Sequence, residues 1–241
     1  MINGTWESFE RQVTNKSIAL IPVGSIEQHG LHAPLGTDLL IAEAFAAKHK
    51  SEEHIFVLPS IPVGVSDYHR HFPGSLWVSS KTLVNYVGEI IQSLSYQKVK
   101  KIIIVNGHGG NIEPLRELAR YQKKDFDVDV IVWTWFTAIE NQIKDYFHYL
   151  PPLHADEVET SLLLAIAPQL IRQESLQKSE EEGSPNWGIY MQGNLISTVV
   201  KDFSKSGATG KPTRANIETG KMLFSLASEN LTSLINEFRS G

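Results

Sequence analysis

Short apolar runs alternate with amphipathic stretches along most of this chain. Residues 18–23, 55–58, 101–105 and 128–135 are dense in Ile and Val and too short for helices, so each predicts a strand. Residues 38–50, 80–96, 111–124 and 157–167 read as helices, with Ser80 and Asn111 as N-cap candidates. Residues 213–238 predict a C-terminal helix entered just after Pro212, and 194–200 predict a late strand. The polar stretch 180–188, broken by Gly and Pro, predicts a long excursion. Alternating β and α predicts an α/β fold: a largely parallel sheet with helices on both faces. No repeat, low-complexity tract or linker interrupts the pattern, so the expectation is a single domain over residues 1–241.

Composition narrows the partners. A net charge of −5 with no basic block argues against nucleic acid and against an anionic membrane surface. The chain has no cysteine, which excludes disulfides, thiolate nucleophiles and thiolate metal sites. Its first residues carry neither a basic nor an apolar leader region, and no apolar run approaches the roughly 20 residues that span a bilayer. The expected location is the cytoplasm.

The candidate chemistry falls where a parallel sheet would collect it. Glu27, His29, His32 and Asp38 follow the first strand in a stretch punctuated by Gly24, Gly30, Pro34 and Gly36. Imidazole and carboxylate together suit a divalent ion such as Zn, Fe or Mn. His108 sits in Asn106-Gly107-His108-Gly109-Gly110-Asn111, after the third strand and at the opening of a helix. Ligand sites in such folds lie at the carboxyl ends of the strands, so two sequence-distant clusters share one edge. A third cluster, His154, Asp156, Glu157 and Glu159, enters a helix; its acidic residues also suit a helix start, whereas His154 suits proton transfer. His69 and His71 follow the second strand and are either site wall or plain turn, while His49, His54 and His148 read as structural. No G-x-S-x-G, H-E-x-x-H, P-loop or G-x-G-x-x-G motif is present, which disfavours a serine triad and a dinucleotide.

In order, Gly24-Ser25-Ile26-Glu27-Gln28-His29-Gly30 with Thr37-Asp38, then the His108 motif, then His154-Ala155-Asp156-Glu157-Val158-Glu159-Thr160-Ser161, resemble the creatininase (creatinine amidohydrolase) family. Gly207-Ala208-Thr209-Gly210-Lys211-Pro212, with Ala215 and Gly220, resembles that family's C-terminal glycine motif. The resemblance implies a three-layer α/β/α sandwich, two divalent metal ions per chain (Zn, Mn or Fe) and hydrolysis of an amide C–N bond by a metal-bridged water. It further implies a small-molecule amide substrate and a homo-oligomer, a hexamer. Carried over by position, Glu27 would hold one metal and His29 the other, Asp38 would bridge them, and His108 would complete the first. His154 would be the acid/base group, with Glu157 to shuttle or orient its proton and the Gly109 and Gly110 amides as an oxyanion site.

Creatininase proper carries Tyr-Glu where this chain has Gly109-Gly110, and an aromatic and a carboxylate where it has Leu150 and Leu153. A non-creatinine amide, cyclic or a formamide, is therefore the expected substrate, with Glu159 or Glu157 replacing the missing carboxylate, Glu159 favoured. Creatinine itself, a non-catalytic small-molecule binder on the same scaffold, and a phosphate-ester hydrolase using Arg70 as a clamp are the rivals.

Overall fold

A computed structural model describes residues 4–144, 147 and 154–240. His148, Leu150 and Leu153 lie outside these. After a short helix α1 (Trp6–Gln12), the elements that build the scaffold are β1 (Ile18–Val23), α2 (Thr37–Ala47), β2 (Ile55–Val57), α3 (Ser80–Tyr96), β3 (Lys101–Asn106), α4 (Ile112–Phe126) and β4 (Asp129–Thr134). The short helices α5 (Trp135–Ala138) and α6 (Glu140–Ile143) follow, then α7 (Glu157–Ile166), α8 (Leu176–Glu181) and the long α9 (Ile217–Ser240).

The four strands form one parallel sheet in the order β2-β1-β3-β4. Strand alternation splits their side chains between two cores. Ala19, Ile21, Ile102 and Ile104 pack against Leu83, Val87 and Ile91 of α3 and Leu115 and Leu118 of α4. Ile18, Leu20, Ile103 and Val105 pack on the other face against Phe45 of α2, Leu162 of α7 and Leu223, Leu231 and Ile235 of α9. The α/β/α sandwich follows directly, and both faces being covered is why these strands read as unbroken apolar runs.

Several boundaries differ from the sequence reading for local reasons. Ser79, not Ser80, caps α3, its side chain accepting from the Thr82 N–H. Asn111 precedes α4 but makes no cap bond; its side-chain amide donates to Gly24 O (3.0 Å) and its oxygen accepts from Val65 N–H (2.9 Å). The long last helix starts at Ile217, because Pro212–Arg214 closes a 3-10 turn and Asn216 caps Thr219. The late strand shrinks to β6 (Asn194–Ile196), antiparallel to β5 (Ile189–Met191) and apart from the main sheet. Their turn, Gln192-Gly193, has positive φ at both residues, as a tight hairpin requires.

β1 neighbours β2 on one side and β3 on the other, so the connections leaving β1 and β3 part to opposite faces. This is the switch point at which such sheets open a crevice beyond their strand ends. Val23 of β1 pairs with Asn106 of β3, so both strands end level.

Candidate metal centre

Five segments meet in that crevice. The loop after β1 brings Glu27 and His29, and the first turn of α2 brings Asp38. A 3-10 turn, Asp67–His69, brings His69. The loop after β3 brings His108, held by Asn106, whose amide donates to His108 O (2.7 Å) and whose oxygen accepts from His108 N–H (3.3 Å). The start of α7 brings His154 and Glu159, where Asp156 caps the helix by accepting from the Val158 and Glu159 amides. All seven of these ionisable candidates are buried.

Backbone carbonyls fix the imidazoles. His29 Nδ1–H donates to Glu27 O (3.1 Å), His108 Nε2–H to Val65 O (2.9 Å) and His154 Nε2–H to Gln28 O (2.7 Å), the shorter of its two contacts with Gln28, whose Nε2 lies 2.9 Å away and spends its hydrogens elsewhere. Each neutral ring is thereby left with its other nitrogen as a lone pair, and each lone pair faces a carboxylate. His29 Nε2 lies 3.2 Å from Asp38 Oδ1 and 3.5 Å from Glu159 Oε2. His108 Nδ1 lies 3.0 Å from Asp38 Oδ2, and His154 Nδ1 lies 3.8 Å from Glu27 Oε1. Glu27 Oε1, His29 Nε2 and Asp38 Oδ2 make no hydrogen bond to any described residue although fully buried. A lone pair set against a carboxylate in a dry interior is unfavourable unless a cation lies between them.

The ionisation of the metal-free cluster says the same in protons. Burial opposes charge on His29, but Asp38 and Glu159 outweigh it and hold His29 well above 6.5. Burial likewise opposes charge on His108, yet Glu27 and Asp38 raise it to about 9. Burial raises Glu27 to about 7, against the pull of His108. Burial also works against the Asp38 anion, but His29 and His108 keep it well below the usual carboxylate range. Burial, then His29 and His69, push His154 well below 6.5, so it is neutral.

Three overlapping sets of side chains could each hold a divalent ion: Glu27 with Asp38 and His108; His29 with Asp38 and Glu159; and Glu27 with His29 and His154. Within each set the donor atoms lie within 4.8 Å of one another. Asp38 belongs to the first two. Glu159 is further fixed by accepting from the Ala155 N–H (2.8 Å).

The remaining candidates sort clearly. No hydrogen bond or ion pair among the described residues ties the Glu157 carboxylate to His154; the side chain is buried at the start of α7. His32 is buried between Ser179 Oγ and Thr160 Oγ1 (both 2.9 Å), a structural post that burial drives to about 4. His71 and Arg70 are exposed, and Arg70 bonds back to Asp67, so the phosphate clamp is not built. Gly109 is exposed and Gly110 half-buried at the open side of His108.

Two contributors, Gln28 and Trp187, carry no obvious sequence signal. Gln28 Nε2 donates to His69 Nδ1 (2.8 Å) and to Gly207 O (3.1 Å), which leaves His69 Nε2 to face Glu27 Oε1 at 3.2 Å. Burial lowers His69 to about 3, so it is neutral here. Trp187, from the excursion before β5, closes over the histidines, its ring 6.0 Å from both His69 and His154. Only the placement of Gln28 between Glu27 and His29 hinted at its role.

A parallel α/β/α scaffold with a buried carboxylate–imidazole centre at its switch point defines the class: an α/β protein of the metal-dependent hydrolase kind. The family model described as creatinine amidohydrolase matches residues 3–235, and the chain belongs to the creatininase family. A 3-dehydro-scyllo-inosose hydrolase of Thermotoga maritima is 28% identical over 237 residues, covering 90% of this chain and 76% of that one. A mycofactocin precursor peptide peptidase of Mycolicibacterium smegmatis is 30% identical over 232 residues, covering 92% and 86%. The fold matches a Zn-Zn form of a creatininase variant with a TM-score of 0.81 at 22% identity, covering 98% of this chain and 96% of that one.

Proposed function

We propose that this chain, as one catalytic domain, is a hydrolase using two divalent ions to cleave an amide C–N bond of a non-peptide small molecule, a cyclic amide or a formamide. The observation that carries this reading is the set of backbone-locked imidazole lone pairs aimed at buried carboxylates. Glu27, Asp38 and His108 would hold one ion, and His29, Asp38 and Glu159 the other, with Zn, Mn or Fe suited to the donors. Such ions acidify a water and polarise a carbonyl.

The protein's own side chains do the rest. With Glu27 and His29 engaged in those two sets, His154 is left as a neutral base whose free Nδ1 opens on the cluster. It takes a proton at Nδ1 as the nucleophile attacks and returns it to the departing nitrogen, which leaves poorly unprotonated. The Gln28 carbonyl, bonded to Nε2, steadies the imidazolium between the two transfers. Glu157, buried at the same helix start, is left without a contact among the described residues through which to orient His154, whereas Gly109 and Gly110 supply amides at the oxyanion side. Gly110 also bears on substrate choice, because a Cβ there would stand 2.2 Å from Val65 O. The carboxylate that creatininase proper carries at this position has no room, which favours an amide other than creatinine.

A peptide bond is the second reading, favoured by the likeness to a peptide peptidase. Creatinine, dihydrouracil, 4-nitroformanilide, a short peptide and a phosphate ester, each offered with and without chelator, separate the readings. Chelator-sensitive cleavage of the cyclic amide or formamide is expected. Cleavage confined to the peptide or the ester, or untouched by chelator, overturns the proposal. We place the enzyme in the cytoplasm as a homo-oligomer, a hexamer by resemblance, which light scattering checks. Among the described residues no helix is long and apolar enough to cross a membrane.

A further inference from the structure

Tyr68 rides on the same 3-10 turn that carries His69 into the centre. Its ring meets His69 (centroids 5.9 Å apart) and Trp187 (6.4 Å), both edge-on. Trp187 is itself braced by Phe203 at 5.6 Å. Pinned in this way, the phenol points at the Gly110 backbone. The point where a Cβ on Gly110 would stand is 2.8 Å from the Tyr68 hydroxyl and 2.6 Å from His108 Nε2. Hydroxyl and imidazole are thus near neighbours across a single glycine.

The Tyr68 ring is half-buried, and its hydroxyl makes no hydrogen bond to any described residue. Burial, with Asp67 and Glu27 adding to it, keeps the phenol above its ordinary pKa, so it remains a donor. The hydroxyl is not among the fully buried unpaired atoms, so water reaches it in the free protein and a substrate oxygen can take that water's place. The groups around the hydroxyl, the Gly110 backbone, His108 Nε2 and the Glu27 carboxylate whose charge it feels, belong to the centre.

We propose that the Tyr68 hydroxyl donates a hydrogen bond to the scissile carbonyl oxygen, and to the oxyanion that replaces it when the carbonyl carbon becomes tetrahedral. The inference rests on the amide-hydrolase reading above. The proton stays on the phenol throughout, and no covalent bond to Tyr68 forms or breaks. A fixed donor of this kind strengthens as its target gains charge, which lowers the barrier more than it tightens substrate binding. The bare Gly110 keeps this arrangement: a Cβ there would collide with Val65 O, the imidazole and the hydroxyl together.

The test uses the full-length, zinc-loaded protein and acetohydroxamate, a small carbonyl-bearing anion, as probe. Calorimetric titration compares the unmodified protein with Tyr68→Phe, and 3-fluorotyrosine placed at position 68 reports the phenol directly by fluorine NMR. Tyr68→Phe should keep its zinc and bind the probe roughly ten- to a hundred-fold more weakly, the span for a hydrogen bond to a charged acceptor. On whichever amide is cleaved, kcat should fall while KM changes little. The fluorine resonance should shift as the probe saturates the site. Unchanged affinity in a zinc-replete Tyr68→Phe protein overturns the role of Tyr68 and leaves the hydrolase reading standing. If that variant misfolds, an unmoved fluorine resonance at saturation overturns it equally. Failure of the unmodified protein to take up zinc or bind the probe removes the underlying reading, and this inference with it.

Discussion

Gly207→Ala tests whether the bonds behind the centre matter as much as the donors in front. Gly207 has a φ of +91°, and a Cβ there would stand 1.8 Å from Gln28 Oε1 and 2.2 Å from its Cδ. The clash falls on a buried amide that is already committed: Oε1 accepts from Gly30 N–H (2.9 Å), and Nε2 donates to His69 Nδ1 and Gly207 O. Left-handed strain on alanine costs about 1–2 kcal/mol. Losing one or two of the Gln28 bonds adds about 0.5–1.5 kcal/mol each. A total of roughly 2–5 kcal/mol lowers Tm by about 5–15 °C in a chain of this size. None of the proposed metal ligands is touched, so zinc content should hold. Turnover should nevertheless fall, because Gln28 sets the His69 tautomer and carries the carbonyl on which His154 leans. Calorimetry, metal analysis and steady-state kinetics on one preparation make the comparison. A Tm within a degree of the unmodified protein, with turnover intact, would refute the reasoning.

Three further outcomes follow from the centre. The unmodified protein should carry about two divalent ions per chain and Asp38→Ala close to none, since Asp38 lies in both proposed sets; elemental analysis showing both ions kept in Asp38→Ala breaks the bridging assignment. His154→Ala should keep its metal and lose roughly 10²–10⁴-fold in kcat, whereas Glu159→Ala should lose metal first; the reverse pattern exchanges donor and ligand. In the metal-free protein Glu27, raised to about 7 from 4.5, and His108, raised to about 9 from 6.5, bind protons more tightly folded than unfolded. Their stabilising effect is therefore full at low pH and is lost as pH rises, across 4.5–7 for Glu27 and 6.5–9 for His108. Metal must displace those same protons, so zinc affinity should climb while metal-free stability drops between pH 7 and 9, above the range in which the depressed His32, His69 and His154 add stability with rising pH; urea melts and zinc titrations at pH 7 to 9 that move in the same direction would contradict this.

Much of the centre was legible because its donors are polar residues stranded in glycine-rich turns directly after apolar strands. Glu27, His29, Asp38 and His108 stand out for that reason, whereas Glu159 is singled out only as a replacement for the carboxylate that creatininase proper carries where this chain has Gly110. His69 looked the same as His71 in sequence; only the Gln28 bond and the burial of one ring separate them. Tyr68 and Trp187 resemble ordinary wall residues until the turn and the hairpin segment carry them to the histidines. Asn111 shows the limit of local rules. It has the right residue type and position for a helix cap, yet tertiary bonds to Gly24 and Val65 claim its side chain. The strands were clear because burial on both faces leaves an unbroken apolar signal. The exposed hairpin, whose Tyr190, Met191 and Leu195 face solvent, has no such alternation to read.

The ties that orient the centre come late in the chain. Gln28 reaches Gly207 across 179 positions, and His154 N–H leans on Thr209 Oγ1. A nascent chain extruded only as far as Glu159 already holds every proposed ligand, but neither the Gly207 carbonyl nor the Thr209 hydroxyl. At ribosomal rates of about 5–20 residues per second, roughly 3–10 seconds separate the two stages. The orientation of the centre is therefore completed only after all of its proposed ligands have left the ribosome.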